Sequence, residues 1–269
     1  MEHHIIRPYI KEVNLEELAR SVPKEEVQRK EDKDKTAEEK AKSGVIITPA
    51  TDFWQVSGVE YKNGIYPVDL SKSLLENVAS KTQDKWVERY EAVKDKGDFY
   101  TPDYPLFYGL LKAVYSSNKP EKDEIQKFIR DASRANWLMT LTRIAYTPKG
   151  LDKVIHNYGT KDMYEEDVDF ITKDGKITKT GKPKSYQALL GTKDSVKEIN
   201  EVFNWLNGTD AYAWKVNNKP AQLDERVAWF VAGSDRADLN CVSYPTGSNA
   251  SLGVRFAPQG AAQNFLGVK

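Results

Sequence analysis

The sequence predicts an α+β fold whose core is an antiparallel sheet with additional N-terminal helices. Helical periodicity is concentrated between residues 84 and 135, with one later helix at 194–208, and strand-like runs fill most of the remainder. Helices and strands are therefore segregated along the chain instead of alternating, which is typical of α+β proteins. The 269 residues are enough for one large domain with an appendage.

Residues 1–43 are predicted to form a charged, flexible arm. Within this segment, residues 24–42 are almost all charged or small, and Val27 is the one sizeable apolar side chain. Such a stretch cannot bury enough apolar surface to offset the entropy lost on ordering. We therefore place the globular domain at residues 44–269, with a helical N-terminal part at 44–136 and a distinct C-terminal region at 226–258.

The N-terminal part carries one strand signal and three helix signals. The β-branched run Gly44–Val56 predicts a strand. A first helix, DKWVERYEAVKDKG, has an apolar stripe and stops at Gly97. Asp103 is a suitable N-cap for a second helix, with Pro105 in its first turn. Periodic apolar residues predict a third helix from about Lys122 to Ala135.

The second half of the domain is predicted to be mainly strands. Trp137–Thr147 is strand-like and is followed by the turn TPKG and a second strand, KVIHNYG. Lys173–Lys184 has the Gly, Lys and Thr content of a loop. A helix is predicted from an Asp194 cap to Gly208. The final strand candidates are AYAWKV, ERVAWFVAG, LNCVSYP and SLGVRFA.

Composition limits the partners and the compartment. Lys+Arg and Asp+Glu both number 40, so the formal net charge is zero and nothing in the composition favours nucleic acid or anionic lipid. We expect no membrane span, because no run of about 18 apolar residues occurs. No signal peptide is apparent, and the single cysteine, Cys241, excludes an internal disulfide. A cytoplasmic location is the default expectation.

Motifs for catalysis or cofactor binding are missing from the sequence. It has no GxGxxG, no GxxxxGK[ST] and no GxSxG. The three histidines are His3, His4 and His156, and their spacing builds no metal site. We predict a structural or surface role for His156, a buried position as a small apolar residue for Cys241, no cofactor, and no enzymatic activity. The alternative is a hydrolase that uses His156 with Asp152 or Asp169.

The most informative stretch is Glu225–Pro258, ERVAWFVAGSDRADLNCVSYPTGSNASLGVRFAP. An Arg-Val strand, a Gly-punctuated loop region and a closing Gly-Val-Arg-Phe strand resemble the C-terminal part of formylglycine-generating-enzyme-type C-type-lectin folds. Within that group the chain looks most like the variable proteins of diversity-generating retroelements, of archaeal or viral type. The resemblance covers at most the last half of the chain. It implies a hypervariable surface that binds ligand, whereas the single cysteine departs from the cysteine pair of the formylglycine-generating oxidases.

Residue usage in this stretch agrees with the resemblance. In the retroelement family, adenine-directed mutagenesis of Asn codons ending in a pyrimidine cannot produce Lys, Glu, Gln, Met or Trp. None of these types occurs between Phe230 and Pro258. Buried strands and Gly/Ser loops also avoid Lys and Glu, so ordinary burial is the competing explanation. Asp235, Arg236, Asp238 and Asn249 are expected to be exposed, which favours mutagenesis over burial.

The resemblance implies a division between framework and displayed residues. The framework residues are Val227, Ala228, Leu252, Gly253, Val254 and Phe256. The displayed, ligand-binding residues are Phe230, Ala232, Ser234, Asp235, Arg236, Asp238, Asn240, Ser243, Tyr244, Ser248 and Asn249. The implied ligand is a protein or a glycan, because Tyr, Ser, Asn and Arg make adaptable contact surfaces. The rival hypothesis is a viral or cell-surface assembly protein that uses the same fold and forms oligomers through its helices.

Overall fold

The computed structural model of the chain describes residues 44–257, and the predicted arm at 1–43 lies outside them. The described residues from Val45 onward belong to one compact unit. They contain thirteen strands and five α-helices, so the predicted α+β class is confirmed. The strands are β1 (Ile47–Pro49), β2 (Phe53–Tyr61), β3 (Gly64–Ser71), β4 (Lys81–Thr82), β5 (Leu138–Tyr146), β6 (Asp152–His156), β7 (Tyr164–Val168), β8 (Gly175–Lys176), β9 (Ala211–Trp214), β10 (Asp224–Ala232), β11 (Ala237–Ser243), β12 (Ser248–Asn249) and β13 (Val254–Phe256). The helices are α1 (Gln83–Val93), α2 (Tyr104–Ser116), α3 (Glu121–Ala135), α4 (Pro183–Leu190) and α5 (Val196–Asn207).

The larger sheet has seven strands in the order β7-β6-β5-β10-β11-β9-β8. Its neighbouring strands run antiparallel, with the exception of β11 and β9, which are parallel and pair Ala237 with Ala211. The exception arises because the chain leaves β9, skips one sheet position to form β10, and then returns between them as β11. The prediction of an antiparallel sheet is therefore correct for every pair except this one.

A second sheet has the order β1-β2-β3-β13. Its last strand returns to the beginning of the domain, since Val254 of β13 pairs with Leu70 of β3. The prediction of a helical part at 44–136 is wrong in its first section, because residues 47–71 form a three-stranded meander. The predicted strand Gly44–Val56 is also two strands, since β1 turns back onto β2.

The helix boundaries follow the predicted signals closely. Asp103 caps α2 by accepting a hydrogen bond from the Leu106 amide at 2.9 Å, and Gly97 ends the turn after α1 at a φ of 71°. The cap of α5 is Ser195, not the predicted Asp194, because Ser195 forms a reciprocal capping box with Glu198. The predicted loop at residues 173–184 contains strand β8 and the start of α4.

Helix α2 is the centre of the core. Ten of its residues are buried, as expected for a helix that is apolar on nearly every side. Phe107 contacts Phe230 of β10, with ring centroids 5.1 Å apart. The Tyr104 hydroxyl donates a hydrogen bond to the Trp229 carbonyl at 2.7 Å. The helix therefore holds β10 in place from the interior side of the sheet.

Candidate ligand-binding cleft

Strand β11 divides its side chains cleanly between the core and the surface. Ala237, Leu239 and Cys241 are buried, as predicted for the cysteine, whereas the intervening residues are partly exposed. Successive side chains of a strand point to opposite faces, so every second residue is available to a ligand. The outward residues of β11 are Asp238, Asn240 and Val242.

The register with β10 identifies the matching outward residues there. Asp238 pairs with Val231 and Asn240 pairs with Trp229, so these side chains share the outer face. Phe230 pairs instead with Leu239, on the inner face. The outer face of this strand pair is the floor of a cleft of about 610 Å³, which we call the aromatic cleft.

Aromatic side chains from three parts of the chain surround the cleft. Trp137 precedes β5, Trp214 ends β9, and Trp229 lies in β10. Trp137 is 49% exposed and its ring centroid lies 5.5 Å from that of Trp229. Gly247 closes over Trp229, where a Cβ atom would lie only 2.8 Å from the indole ring. The cleft therefore needs a residue without a side chain at position 247.

Two arginines stack on aromatic rings in and beside the cleft, and each has a carboxylate next to it, Asp238 for Arg236 and Asp224 for Arg226. The Arg236 guanidinium lies 5.1 Å from the Tyr212 ring centre and 5.3 Å from that of Trp214. Arg226 stacks on Tyr244 at 3.8 Å, and Tyr244 is 63% exposed. Stacked guanidinium groups and exposed aromatic rings are the residue types that dominate contact energy in interfaces.

Asp238 and Asn240 supply hydrogen-bonding groups to the cleft. Burial raises the pKa of the Asp238 carboxyl, and the nearby Arg236 only partly offsets this effect. Its Oδ1 atom is buried and lies 3.3 Å from Arg236 Nε, without the alignment of a hydrogen bond. Asn240 also lines the cleft, and its Oδ1 accepts from the Ser243 hydroxyl at 2.9 Å and from the Val242 amide at 3.2 Å. A ligand that offers a donor to Asp238 would complete this arrangement.

Five of the residues predicted to be displayed come together in the aromatic cleft. They are Arg236, Asp238, Asn240, Ser243 and Tyr244, although Ser243 is itself only 8% exposed. Ser234 and Asp235 are exposed in the turn between β10 and β11. Ser248 and Asn249 do not line the cleft; they form β12 and pair with β4.

Phe230 and Ala232 were predicted to be displayed, and this prediction is wrong. They are 0% and 2% exposed, respectively, because strand alternation turns them inward when Trp229 and Val231 face the cleft. Phe230 packs between Phe107 and Phe203.

The framework prediction is correct for Val227, Ala228, Leu252, Gly253 and Val254, which are buried. Phe256 is only half-buried and packs against Tyr61 and Tyr66, with ring centroids 5.8 and 5.2 Å away.

The sequence prediction missed several cleft residues. Val231, Val242 and Thr246 line the cleft but are not among the residues predicted to be displayed. For Val231 and Val242 the signal was present, since they alternate with buried residues along the two strands. Trp137 and Trp214 could not be assigned from local pattern, because long-range pairing brings them to the site.

His156 does not form the dyad that hydrolysis would require. The imidazole is fully buried, and its nitrogens contact the Thr142 hydroxyl at 3.0 Å and the Ala188 carbonyl at 2.9 Å. Burial lowers its pKa to about 4, so it is neutral at pH 7. Asp152 lies four residues earlier in the same strand, about 13 Å away, and binds Lys219. Asp169 pairs with Lys182.

Residues 44–257 contain neither a candidate metal site nor a candidate membrane span. No group of three or more His, Cys, Asp or Glu side chains in this part of the chain is placed to hold a metal ion. In the same residues, no helix combines the length and apolar character needed to cross a membrane. Comparison with protein-family models, curated proteins and solved structures finds no match. Function is therefore inferred from the cleft and its surroundings.

Proposed function

We propose that this protein is a non-enzymatic binder that holds a protein or glycan ligand in the aromatic cleft. The scaffold is a C-type-lectin-like fold, and the side chains of the cleft are diversified by retroelement mutagenesis. The observation that carries the proposal is the alternation along β11. The outward residues, Asp238, Asn240 and Val242, belong to the stretch that lacks Lys, Glu, Gln, Met and Trp.

The origin of the cleft tryptophans also supports the proposal. Adenine-directed mutagenesis cannot create Trp from an Asn codon, so tryptophans in the site would have to be constant. Trp137 and Trp214 come from outside residues 226–258, and Trp229, which lies within them, would be a constant position. In such a site the constant aromatic side chains supply binding energy, and the variable strand residues beside them supply specificity.

The fold can accept such variation at low cost. Outward side chains on β11 are not part of the packed core, so exchanging them removes little buried apolar area. The inward residues Leu239 and Cys241 have no exposed surface and hold the strand in place. A rigid strand that keeps its backbone while its outer side chains change is a suitable support for a variable site.

Sequencing the DNA around the gene tests the retroelement part of the proposal. We expect a near-copy of the codons for residues 226–258 close to a reverse transcriptase gene. Adenines of that copy should align with the codons of outward residues such as Asn240 and Tyr244, and not with those of Leu239. A complete genome without a second copy of this segment would contradict the mutagenesis proposal and would leave ligand binding in the cleft to be tested by itself.

A further inference from the structure

A second cavity, of about 190 Å³, lies between the β2–β3 hairpin, α1 and the segment around Tyr100. It shares no lining residue with the aromatic cleft. Its walls are unusually rich in phenol groups and also carry two ammonium groups. The residues that define this tyrosine cavity are Tyr61, Tyr66, Tyr90, Tyr100, Lys62 and Lys94.

One buried hydroxyl of the cavity has no partner within residues 44–257. Tyr100 is 4% exposed, and its buried hydroxyl makes no hydrogen bond there; the Phe256 backbone lies close but is not aligned to donate. The Tyr61 and Tyr90 hydroxyls, in contrast, donate to Asp103 and Asp162 at 3.0 and 2.8 Å. Buried hydroxyls without partners are rare in folded proteins, because each one has lost its hydrogen bond to water.

Lys62 adds a positive charge to the cavity, and this charge acts from a distance on the buried Asp103 carboxyl, whose pKa it lowers. Among the ion pairs of residues 44–257, none involves Lys62, and its ammonium group lies over the rings of Tyr164 and Tyr61 at 4.6 and 5.3 Å. Lys62 occupies the turn of the β2–β3 hairpin with a φ of 52°. This turn places the ammonium group at the edge of the cavity.

The acidic groups nearby already have partners. Asp162 accepts from Tyr90 and pairs with Lys94. Asp103 lies behind Tyr61, where the Tyr61 hydroxyl and the Leu106 amide donate to it. Burial lowers the pKa of Lys94, and the positive charges of Lys161 and Lys62 lower it further, while the carboxylates of Asp95 and Glu91 oppose this effect. An added negative charge would relieve this repulsion.

We propose that the tyrosine cavity is a binding site for a small oxyanion, either a phosphate or a short carboxylate. The Lys62 ammonium supplies the attracting charge, and the Tyr100 hydroxyl donates a hydrogen bond to an anion oxygen. Hydrogen bonds to a charged partner are the strong ones in proteins, so this contact would satisfy the buried hydroxyl. This site is independent of the aromatic cleft and of what that cleft binds.

The test is calorimetric titration of the full chain with inorganic phosphate at pH 7, with sodium chloride holding the ionic strength constant. We expect one saturable site, weakened on the order of tenfold by Tyr100→Phe, which removes only the hydroxyl. Lys62→Met should abolish binding. Lys149→Met is the matched control, because Lys149 is exposed in the β5–β6 turn, away from the cavity. Parallel titrations with sulfate and acetate distinguish a phosphate site from a carboxylate site.

Thermal unfolding without phosphate makes the test decisive. Tyr100→Phe should leave the melting temperature unchanged or raise it, because it removes a buried hydroxyl that has no partner. Weaker phosphate binding together with an unharmed fold would support the proposal. The proposal is overturned if none of the three anions saturates a single site, or if they bind equally well to wild type, Lys62→Met and Lys149→Met.

Discussion

Replacing Phe230 and Tyr244 separately by Ala tests whether the C-terminal region is divided between core and binding surface as the strand register requires. Phe230 is fully buried between Phe107 and Phe203, whereas Tyr244 is 63% exposed. Truncating a buried Phe removes its transfer free energy and leaves a cavity, which together cost about 3 to 5 kcal/mol. Truncating an exposed residue costs less than about 0.5 kcal/mol.

These free energies translate into a measurable difference in melting temperature. For a domain of this size, 1 kcal/mol shifts the midpoint by roughly 2 to 4 °C. Phe230→Ala should therefore lower the midpoint by roughly 6 to 20 °C, and Tyr244→Ala by about 2 °C or less. Differential scanning calorimetry would measure the change in midpoint, and urea unfolding would measure the change in the free energy of unfolding. A loss below about 1 kcal/mol for Phe230→Ala would refute the assignment of this side chain to the core.

Further predictions address the cleft and the buried titratable groups. Simultaneous replacement of Asp235, Arg236 and Tyr244 by Ala should abolish ligand binding and cost less than about 0.5 kcal/mol per site; a large fall in stability would show that they belong to the core. Gly247→Ala should weaken ligand binding, because the new methyl group displaces the Trp229 ring; unchanged tryptophan fluorescence and affinity would contradict this. Burial lowers the pKa of His156 to about 4, so the stability that comes from its neutral ring is lost as pH falls from about 6.5 to 4. Burial raises the pKa of Asp103 to about 6, so the folded state becomes more stable as pH falls from 6 to 4 and this carboxyl takes up a proton. The free energy of unfolding of Asp103→Asn should therefore fall below that of wild type by about 3 kcal/mol more at pH 4 than at pH 7, as measured by urea unfolding. If the gap between variant and wild type did not depend on pH, the raised pKa of Asp103 would be contradicted.

Local signals in the sequence were enough to predict the elements that depend on them. The Asp103 cap, the stop at Gly97 and the hairpin of β5 and β6 all depend on neighbouring residues, and each was predicted correctly. Helix α4 was missed although Pro183 in its first turn and Gly191 at its end are ordinary signals. The surrounding Lys, Thr and Gly residues gave the whole segment the composition of a loop.

The errors at the site have a different physical cause. Phe230 and Ala232 were judged by residue type, whereas strand alternation decides which way a side chain points. The pairing of β13 with β3, and the arrival of Trp137 and Trp214 beside β11, join segments far apart in the chain. Pairing over such distances leaves no periodic pattern in a single sequence. The cleft as an assembled site could therefore be seen only in three dimensions.

The central claim is that the outer face of β10 and β11 varies while the inner face does not. Sequencing the codons for residues 226–258 in many cells of one population tests it most directly. We predict substitutions at outward positions such as Val231, Asp238 and Asn240, with Phe230 and Leu239 constant. An identical sequence in every cell, or substitutions shared equally between the two faces, would contradict it.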